Sequence, residues 1–370
     1  MSFNVCGKSV KENDVIIVFM GHDSMFPLSV KEGEITQTKY GAIKHNSLLG
    51  HGYGTKFSCT KGWVYILQAT PELWTLCLPH RTQILYTADI AMITLQLDLK
   101  PGSVVCESGT GSGSLSHAIL RTVAPMGHLH TVEFNEGRCN KATAEFGEHG
   151  LSQYVTVYHR DVINEGFPVE NAADAVFLDI PRPDEAVKVA AKALKTTGGR
   201  FCSFSPCIEQ TQRTCATLRK PGSGFCEVET LELVRRSHNV KRVYIPIADI
   251  GIGDSEVRTA LIKGENNTSS VLPCAYEAGD DMPVGEIIIR TTPENKDGLS
   301  SSKNPKRAKF DMSSSQISQG GGKSYEKGKT PPAATKYAFS TRTCILPKEI
   351  YGHTGYLTFA TYRPGLSHKV

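Results

Sequence analysis

The sequence predicts an α/β protein whose core is a doubly wound sheet, preceded by a small all-β domain. Three observations carry this expectation. Val104 to Ser114 (VVCESGTGSGS) runs apolar to Glu107 and then breaks at Gly109, Gly111 and Gly113, the strand, tight turn and helix start such a sheet needs at its ligand crevice. Strand-like and helix-like segments alternate from about residue 80 to 243, as parallel sheets require. Before residue 75, short β-like runs follow one another between Gly, Asp and Asn turns.

In chain order, VIIVFM, FPLSV, KYGAI, TKFSC and WVYIL read as strands of an N-terminal β domain over residues 1–75. The α/β domain spans 76–263. The glycine turn leads into a helix, SHAILRTVAP. His128 to Phe134 reads as the second strand, Val155 to Val162 as the third and Ala173 to Pro181 as the fourth. Asp184 to Leu194 places Ala186, Val187, Ala190, Ala191 and Leu194 on one helical face and stops at Gly198-Gly199. GRFCSFSP is a fifth strand. Residues 264–336 are rich in Ser, Gly, Asn, Lys and Pro, which predicts a disordered insertion with too little apolar surface to order itself. His353 to Arg363 (HTGYLTFATYR) is a strong strand signal, so residues 337–370 are expected to complete the sheet. The insertion is then a surface loop, tolerated because closure entropy grows slowly with length.

The 370 residues are 39% hydrophobic, enough for a real core, and the net charge of +4 permits a nucleic-acid partner without demanding one. The N-terminal MSFNVCGKSVKEND has no apolar core of a signal peptide, and no run is long enough to span a membrane. Eleven cysteines are scattered with no CxxC pair, which suggests reduced thiols in an intracellular protein and no zinc site. Lys303, Lys306, Arg307 and Lys309 form a basic cluster, either a solvated charge run or a nuclear localisation signal.

The turn alone is weakly specific, because GTGSGS is G-x-G-x-G and lacks the third glycine spacing of the dinucleotide fingerprint. Its neighbours add content. Glu133 closes the second strand, where a carboxylate accepts hydrogen bonds from both hydroxyls of a ribose. Asp161 closes the third and is placed to meet an adenine amino group. Asp179 closes the fourth, and with Glu107 the acids fall in register at the carboxyl edge of the sheet.

This order of features resembles the class I, Rossmann-like S-adenosylmethionine-dependent methyltransferases. ESGTGSGSLSHAI, HTVEF, FLDIPRP, GRFCSFSPCIEQ and GHTGYLTFA, with QTKYGAIKHNSLLG and ELWTLCLPHRTQILYTADIA nearer the N-terminus, are similar to the catalytic subunit of the eukaryotic tRNA adenine-58 N1-methyltransferase. The resemblance covers the chain to about Val243 and again from Lys348.

It implies a cofactor, S-adenosylmethionine. Ser112, Gly113 and Ser114 would line its methionine end, Glu133 the ribose, Arg138 the adenosine, and Asp161 and Val162 the adenine, with Leu85 closing over it. Asp179 would both touch the cofactor and carry the chemistry, orienting the base through its N6 amino group and stabilising the charge that develops on the ring. DIPRP lacks the aromatic that often follows the D/N-P-P turn of exocyclic-amine methyltransferases, which disfavours N6 as the target and leaves ring N1 open. Candidate RNA contacts are Met20, Gly21 and His22; Gln37, Thr38, Lys39, Tyr40, Gly41 and Ala42; Gly62 and Trp63; and Gln83, Ile84, Leu85, Tyr86 and Thr87. Asp179 as a helix cap, Trp63 and Leu85 as core, and Arg138 as an ordinary surface residue are the plain alternatives. Implied partners are tRNA and a noncatalytic RNA-binding subunit, in a heterotetramer of two of each, located in the nucleus. No metal and no membrane contact are expected. A noncatalytic RNA-binding subunit with a degenerate fold is the alternative function, and a nicotinamide dehydrogenase is a third.

Overall fold

The computed structural model describes residues 3, 7–21, 24–234, 238–246, 287–289, 337–345 and 355–365. The chain divides into two units, 1–235 with 351–370, and 236–350.

The first unit opens with β1 (Val15–Phe19), β2 (Met25–Ser29), the hairpin β3 (Ile35–Thr38) and β4 (Gly41–Lys44), β5 (Thr55–Cys59) and β6 (Gly62–Gln68). Four of these make an antiparallel sheet in the order β2-β1-β6-β5, and β3 pairs only with β4. KYGAI is therefore half turn and half strand, because Gly41 takes φ 109° and closes the hairpin there. Successive residues of β1 point to opposite faces. Ile16 and Val18 pack with Val30, Ile43, Val64 and Ile66 in a small core, while Val15 and Ile17 join the main core beside Trp74 and Leu78. The β region is thus not self-contained, and its sheet ends at Gln68, short of the boundary drawn at residue 75.

Two helices follow, α1 (Pro71–Cys77) and α2 (Thr87–Gln96). Thr70 caps α1 by accepting from the Leu73 amide, and Pro71 occupies its first turn, where no amide donor is needed. The alternating region is β7 (Val104–Ser108), α3 (Ser114–Val123), β8 (His128–Glu133), α4 (Glu136–Glu148), β9 (Val155–His159), α5 (Val162–Glu165), β10 (Ala175–Leu178), α6 (Pro183–Ala193), β11 (Gly199–Ser205), α7 (Ile208–Leu218) and β12 (Phe225–Glu232). The third strand stops at His159, earlier than predicted, because Asp161 turns the chain by accepting from the Ile163 amide and capping α5.

Three strands come later: β13 (Asn239–Pro246), β14 (Ile287–Ile289) and β15 (Tyr337–Ile345), then β16 (Tyr356–Tyr362) returns to the first unit. The main sheet runs β12-β16-β11-β10-β7-β8-β9. Its strands β7 to β11 are parallel, and β16 lies antiparallel between β11 and β12. The fold is a Rossmann-like mixed sheet, as expected. Its order reverses at β7 and β10, so the carboxyl ends of those strands form the crevice where such sheets bind ligands.

Residues 337–370 do not act as one piece. Only β16 completes the main sheet, whereas β15 forms a separate three-stranded sheet, β13-β15-β14, with 239–246 and 287–289. The nine-residue β15 finds its partner in the eight-residue β13, a pairing invisible to local pattern. Apart from Ile287–Ile289, the expected insertion over 264–336 lies outside the described residues, as does the basic cluster Lys303 to Lys309.

Alternation sorts the main sheet into two cores. Val105, Leu129, Phe177 and Cys202 face α1 to α4, and Cys106, Val176, Leu178 and Phe201 face α6. A chain ended at Arg235 loses β16, the shared neighbour of β11 and β12, and bares the edge of β11. It is expected to scatter light and show no cooperative melt, checked by calorimetry beside the full chain.

Candidate active site

The crevice is built on one close approach. Gly109, at φ 98°, lies against β10 so tightly that a Cβ there would run into the carbonyl oxygen of Asp179. The Asp179 amide donates to the Ser108 carbonyl at 2.8 Å, and the Gly109 amide to Val132 at 2.9 Å. The turn is thereby stitched to both neighbouring strands. Gly111, at φ 55°, would set a Cβ 2.8 Å from Thr82 Oγ1. These are backbone positions where only glycine fits.

The loop before α2 is strapped over this turn. Ser112 Oγ accepts from the amides of Arg81 (2.9 Å) and Thr82 (3.2 Å), and Ser114 Oγ donates to the Leu85 carbonyl at 2.9 Å. Arg81 forks onto Glu145 of α4, with Nη2 at 2.8 Å and Nη1 at 3.3 Å. From below, His117 Nδ1 donates to the Gly113 carbonyl at 2.6 Å, which leaves its Nε2 to accept from His149 Nδ1 at 2.8 Å. Both rings are neutral: burial drives His117 down to about 4 and His149 to about 2.

A cavity of about 650 Å³ opens between the strap and the strand ends, within the range of small-molecule sites, roughly 300–1,000 Å³. Of the residues singled out in the sequence, Gln83, Ile84, Leu85, Glu133, Arg138, Asp161, Val162 and Asp179 line it. Ser112, Gly113 and Ser114 do not. They border an adjoining recess of about 30 Å³ that shares Gln83, Leu85, Gly109, Gly111 and Asp179 with the cavity, and the two hydroxyls are engaged in holding the strap. Tyr86 and Thr87 start α2 without lining either space.

Glu133 Oε1 accepts from Asn135 N (2.9 Å) and from Arg138 Nε (3.0 Å) and Nη2 (2.6 Å), and Oε2 accepts from Gly111 N (3.0 Å). Burial works against this carboxylate, but Arg138 and the two amides outweigh it and hold it below the usual range. Arg138 is thus a partner of Glu133 rather than an ordinary surface residue. Asp161 Oδ2 also accepts from Asn164 Nδ2 at 2.7 Å. Glu107 is buried under Ser116 Oγ (2.6 Å) and Thr131 Oγ1 (2.7 Å); burial pushes it up to about 7 despite these donors.

Asp179 differs from these acids. Burial, reinforced by the charge of Glu133, pushes it up to about 6. It does not cap α6, whose N-cap is Arg182 with no side-chain bond. The cavity wall also holds residues that the sequence reading did not assign to the site, among them Phe134, Arg160, Arg182 and Gln210. Phe134 carried a signal, an apolar residue directly after the acidic strand end, and it is 71% exposed. Gln210 carried none, since only the packing of α7 brings it to Pro181, whose carbonyl accepts from Nε2 at 3.0 Å while Oε1 stays buried without a partner.

The candidate RNA segments other than Gln83 to Thr87 collect elsewhere, at one end of the N-terminal sheet. The Lys61 amide donates to the Tyr40 carbonyl at 2.8 Å, Lys39 Nζ donates to Ser24 Oγ at 3.2 Å, and Tyr40 packs under Gly62. The turns holding Met20 and Gly21, Gln37 to Ala42, and Gly62 with Trp63 therefore meet. His22 lies outside the described residues. Trp63 is not core: it is 48% exposed, with Lys56 Nζ 4.4 Å from its ring centre. Among the described residues no helix is long and apolar enough to cross a membrane, and no cluster of His, Cys, Asp or Glu could hold a metal ion.

Gly109→Ala is expected to lose about 2 kcal/mol of stability, the scale of one strained backbone position, and to open the crevice; denaturant titration checks the first. The histidine pair has a definite pH sign. The unfolded imidazoles take up protons below about 6.5 while the folded ones do not, so their contribution is complete above that pH and is lost as pH falls. His149→Gln keeps a donor for His117 but cannot titrate. Its melting temperature should fall less steeply than that of the wild type from pH 7 to 5.

Comparisons with known proteins agree with this architecture. The model of the family described as tRNA methyltransferase complex GCD14 subunit matches residues 62–362. The tRNA (adenine(58)-N(1))-methyltransferase catalytic subunit of Dictyostelium discoideum is 44% identical over 240 residues, 63% of this chain and 76% of that protein. The subunit of the same name from Candida albicans is 33% identical over 370 residues, 98% of this chain and 99% of the other. Among solved structures, the tRNA (m1A58) methyltransferase of Aquifex aeolicus superposes with a TM-score of 0.57 at 16% identity, covering 96% of this chain and 98% of that one. A SAM-dependent O-methyltransferase of Thermotoga maritima gives 0.61 at 22% identity, covering 96% and 95%. With its glycine turn, strap and strand-end acids set in this fold, the chain belongs to the tRNA methyltransferase complex GCD14 subunit family.

Proposed function

We infer that this chain is the catalytic subunit that transfers a methyl group from S-adenosylmethionine to N1 of an adenine in tRNA, at position 58. The observation that carries it is Asp179: a carboxylate raised by burial, on the wall of a ligand-sized cavity, directly beside an intact glycine turn. Glu107 is raised further still but is closed in under Ser116 and Thr131. Asp179 instead faces the cavity with its carboxylate open to a ligand, which a noncatalytic subunit or a dehydrogenase does not need beside a G-x-G-x-G turn.

The residues fit the cofactor. Gly109 and Gly111 form a cradle that a Cβ would fill. Glu133, oriented by Arg138, would take the ribose hydroxyls. Asp161, Val162 and the exposed ring of Phe134 would flank the adenine, and Leu85 would cover it. The acidic lining suits a cation. S-adenosylmethionine supplies an electrophilic methyl on a positively charged sulfur. Ser112, Gly113 and Ser114 line the recess that adjoins the cavity at Asp179, Gly109 and Leu85, where the methionine end would lie, and the two hydroxyls hold the strap in shape.

The chain's own part in the reaction is positioning and charge. Adenine N1 attacks with its in-plane lone pair, and the ring becomes cationic as the bond forms. Asp179 accepts from the N6 amino group and stabilises that cation, a fixed anion in a partly dry site. It then takes an N6 proton from the product. Gln210 braces the turn that carries Asp179, its Nε2 donating to the Pro181 carbonyl. As an acceptor, Asp179 favours an amino group over a carbonyl at that ring position, which selects adenine over guanine.

RNA is held by the turn cluster of the N-terminal sheet, where Lys39 and Lys56 lie over Tyr40 and Trp63 at 5.3 and 4.4 Å. The exposed ring of Trp63 with its cation serves as a stacking platform for an unpaired base, and Gln83 to Leu85 would meet the strand at the cavity wall. The mild charge of +4 suits a subunit that shares the grip on tRNA with a noncatalytic partner, in a heterotetramer of two of each. The nucleus is the proposed location, on the basic cluster at Lys303 to Lys309.

The test is methyl transfer from labelled cofactor to unmodified tRNA with the partner present. Asp179→Asn should lower kcat at least about 100-fold, the scale of removing one electrostatic stabiliser. It should melt no lower than wild type at pH 7.5, because a raised carboxylate opposes folding at pH above its own value. Near-normal turnover would remove Asp179 from the mechanism. In wild type, kcat/KM should fall tenfold per pH unit below about 6, as Asp179 takes up its proton.

A further inference from the structure

Three guanidiniums line the cavity, and they are not equivalent. Arg138 is bound to Glu133 by two bonds. Arg160 stands beside Asp161, with Glu165 Oε2 at 4.0 Å and the Gly166 carbonyl at 3.4 Å. Arg182 is the most open, its side chain 61% exposed, and its partner is Glu185 Oε1 at 2.9 Å, itself 41% exposed on the next turn of chain. An exposed pair of this kind adds little, so the guanidinium is available to a stronger anion, and Glu185 serves to aim it.

The backbone around Arg182 is unusually fixed. It lies between Pro181 and Pro183, and the Pro181 carbonyl is pinned by Gln210 Nε2 at 3.0 Å. Asp179 stands three residues earlier on the same turn. One rigid turn therefore presents a carboxylate on the inner wall and a guanidinium at the rim. A neutral base can approach that carboxylate, whereas a phosphate cannot follow it past Asp179 and Glu133. The phosphate stays at the rim, where Arg182 offers two parallel donors. The nearby acids do not cancel it: Asp184 leans toward Arg213 at 4.0 Å, and Glu185 is the aiming partner.

We propose that Arg182 binds a phosphodiester of the RNA strand next to the target adenosine and so holds the strand while the base enters the cavity. The proposal rests on the RNA-methylating reading above. Arg160, on the cofactor side beside Asp161 and Val162, is the internal control.

The experiment is steady-state methyl transfer to tRNA by the complex with its noncatalytic partner, over a series of salt concentrations. Arg182→Gln should raise the tRNA KM about 10-fold with kcat within about twofold and the cofactor KM unchanged. The slope of log kcat/KM against log salt should shrink by about one, the signature of one lost phosphate contact. Arg182→Lys should recover most of that slope. Arg160→Gln should leave the tRNA terms alone and move the cofactor KM. An active wild type with an Arg182→Gln variant of unchanged tRNA KM and slope overturns the assignment. So does a variant whose loss tracks a weakened complex in gel filtration, which would make Arg182 a protein contact. A wild type that transfers no methyl to tRNA overturns the function reading itself, and this one with it.

Discussion

The contact between Gly109 and the carbonyl of Asp179 is the constraint on which the rest of the site depends. It brings the carboxyl ends of β7 and β10 close enough for the Asp179 amide to bond to Ser108, and it fixes cofactor turn and acid as one unit. Everything else braces that unit. The strap of residues 81–85 is tied down by Ser112 and Ser114, and the His117–His149 pair holds Gly113 from beneath. A side chain at position 109 would push the glycine turn and Asp179 apart. The site is preorganised in this sense: its reactive groups are placed by backbone and buried hydrogen bonds.

The electrostatics show a division of labour among acids that look alike along the chain. Glu133 is saturated by Arg138 and two amides, Asp161 caps a helix, and Glu107 is closed in beneath the turn. Asp179 has no such compensation, and burial lifts it to about 6. An acid kept in that condition opposes folding at neutral pH. Glu107 is lifted further, to about 7, but under the turn and bonded to two hydroxyls; Asp179 is set apart by standing on the cavity wall.

Most of the core was legible because its signals are local. The glycine turn, the acidic residues after strands and the helical face of Asp184 to Leu194 each follow from periodicity and turn chemistry within a dozen residues. What was not legible depends on tertiary packing. The hydroxyls of Ser112 and Ser114 turned out to hold a loop rather than face the cavity, since their partners lie some thirty residues away in sequence. Gln210 reaches the site only through the packing of α7. The pairing of β13 with β15 spans about a hundred residues, so no local pattern sets β15 apart from the rest of 337–370, a segment expected to complete the main sheet. Trp63 was evenly balanced between core and surface, and only the edge position of its turn resolved that.

The insertion of β16 between β11 and β12 also sets an order of events during synthesis. The parallel strands β7 to β11 can associate as they leave the ribosome, because each finds its neighbour among residues already made. β12 cannot. Its neighbour in the sheet is β16, more than a hundred residues further on, so β12 must wait unpaired while the intervening chain is made. Closing so long a loop is slow, and the waiting strand is an exposed edge of the kind that attracts other chains. The final step of folding is therefore where this protein is most open to mispairing, and where a chaperone or an early-bound partner would have the greatest effect on yield.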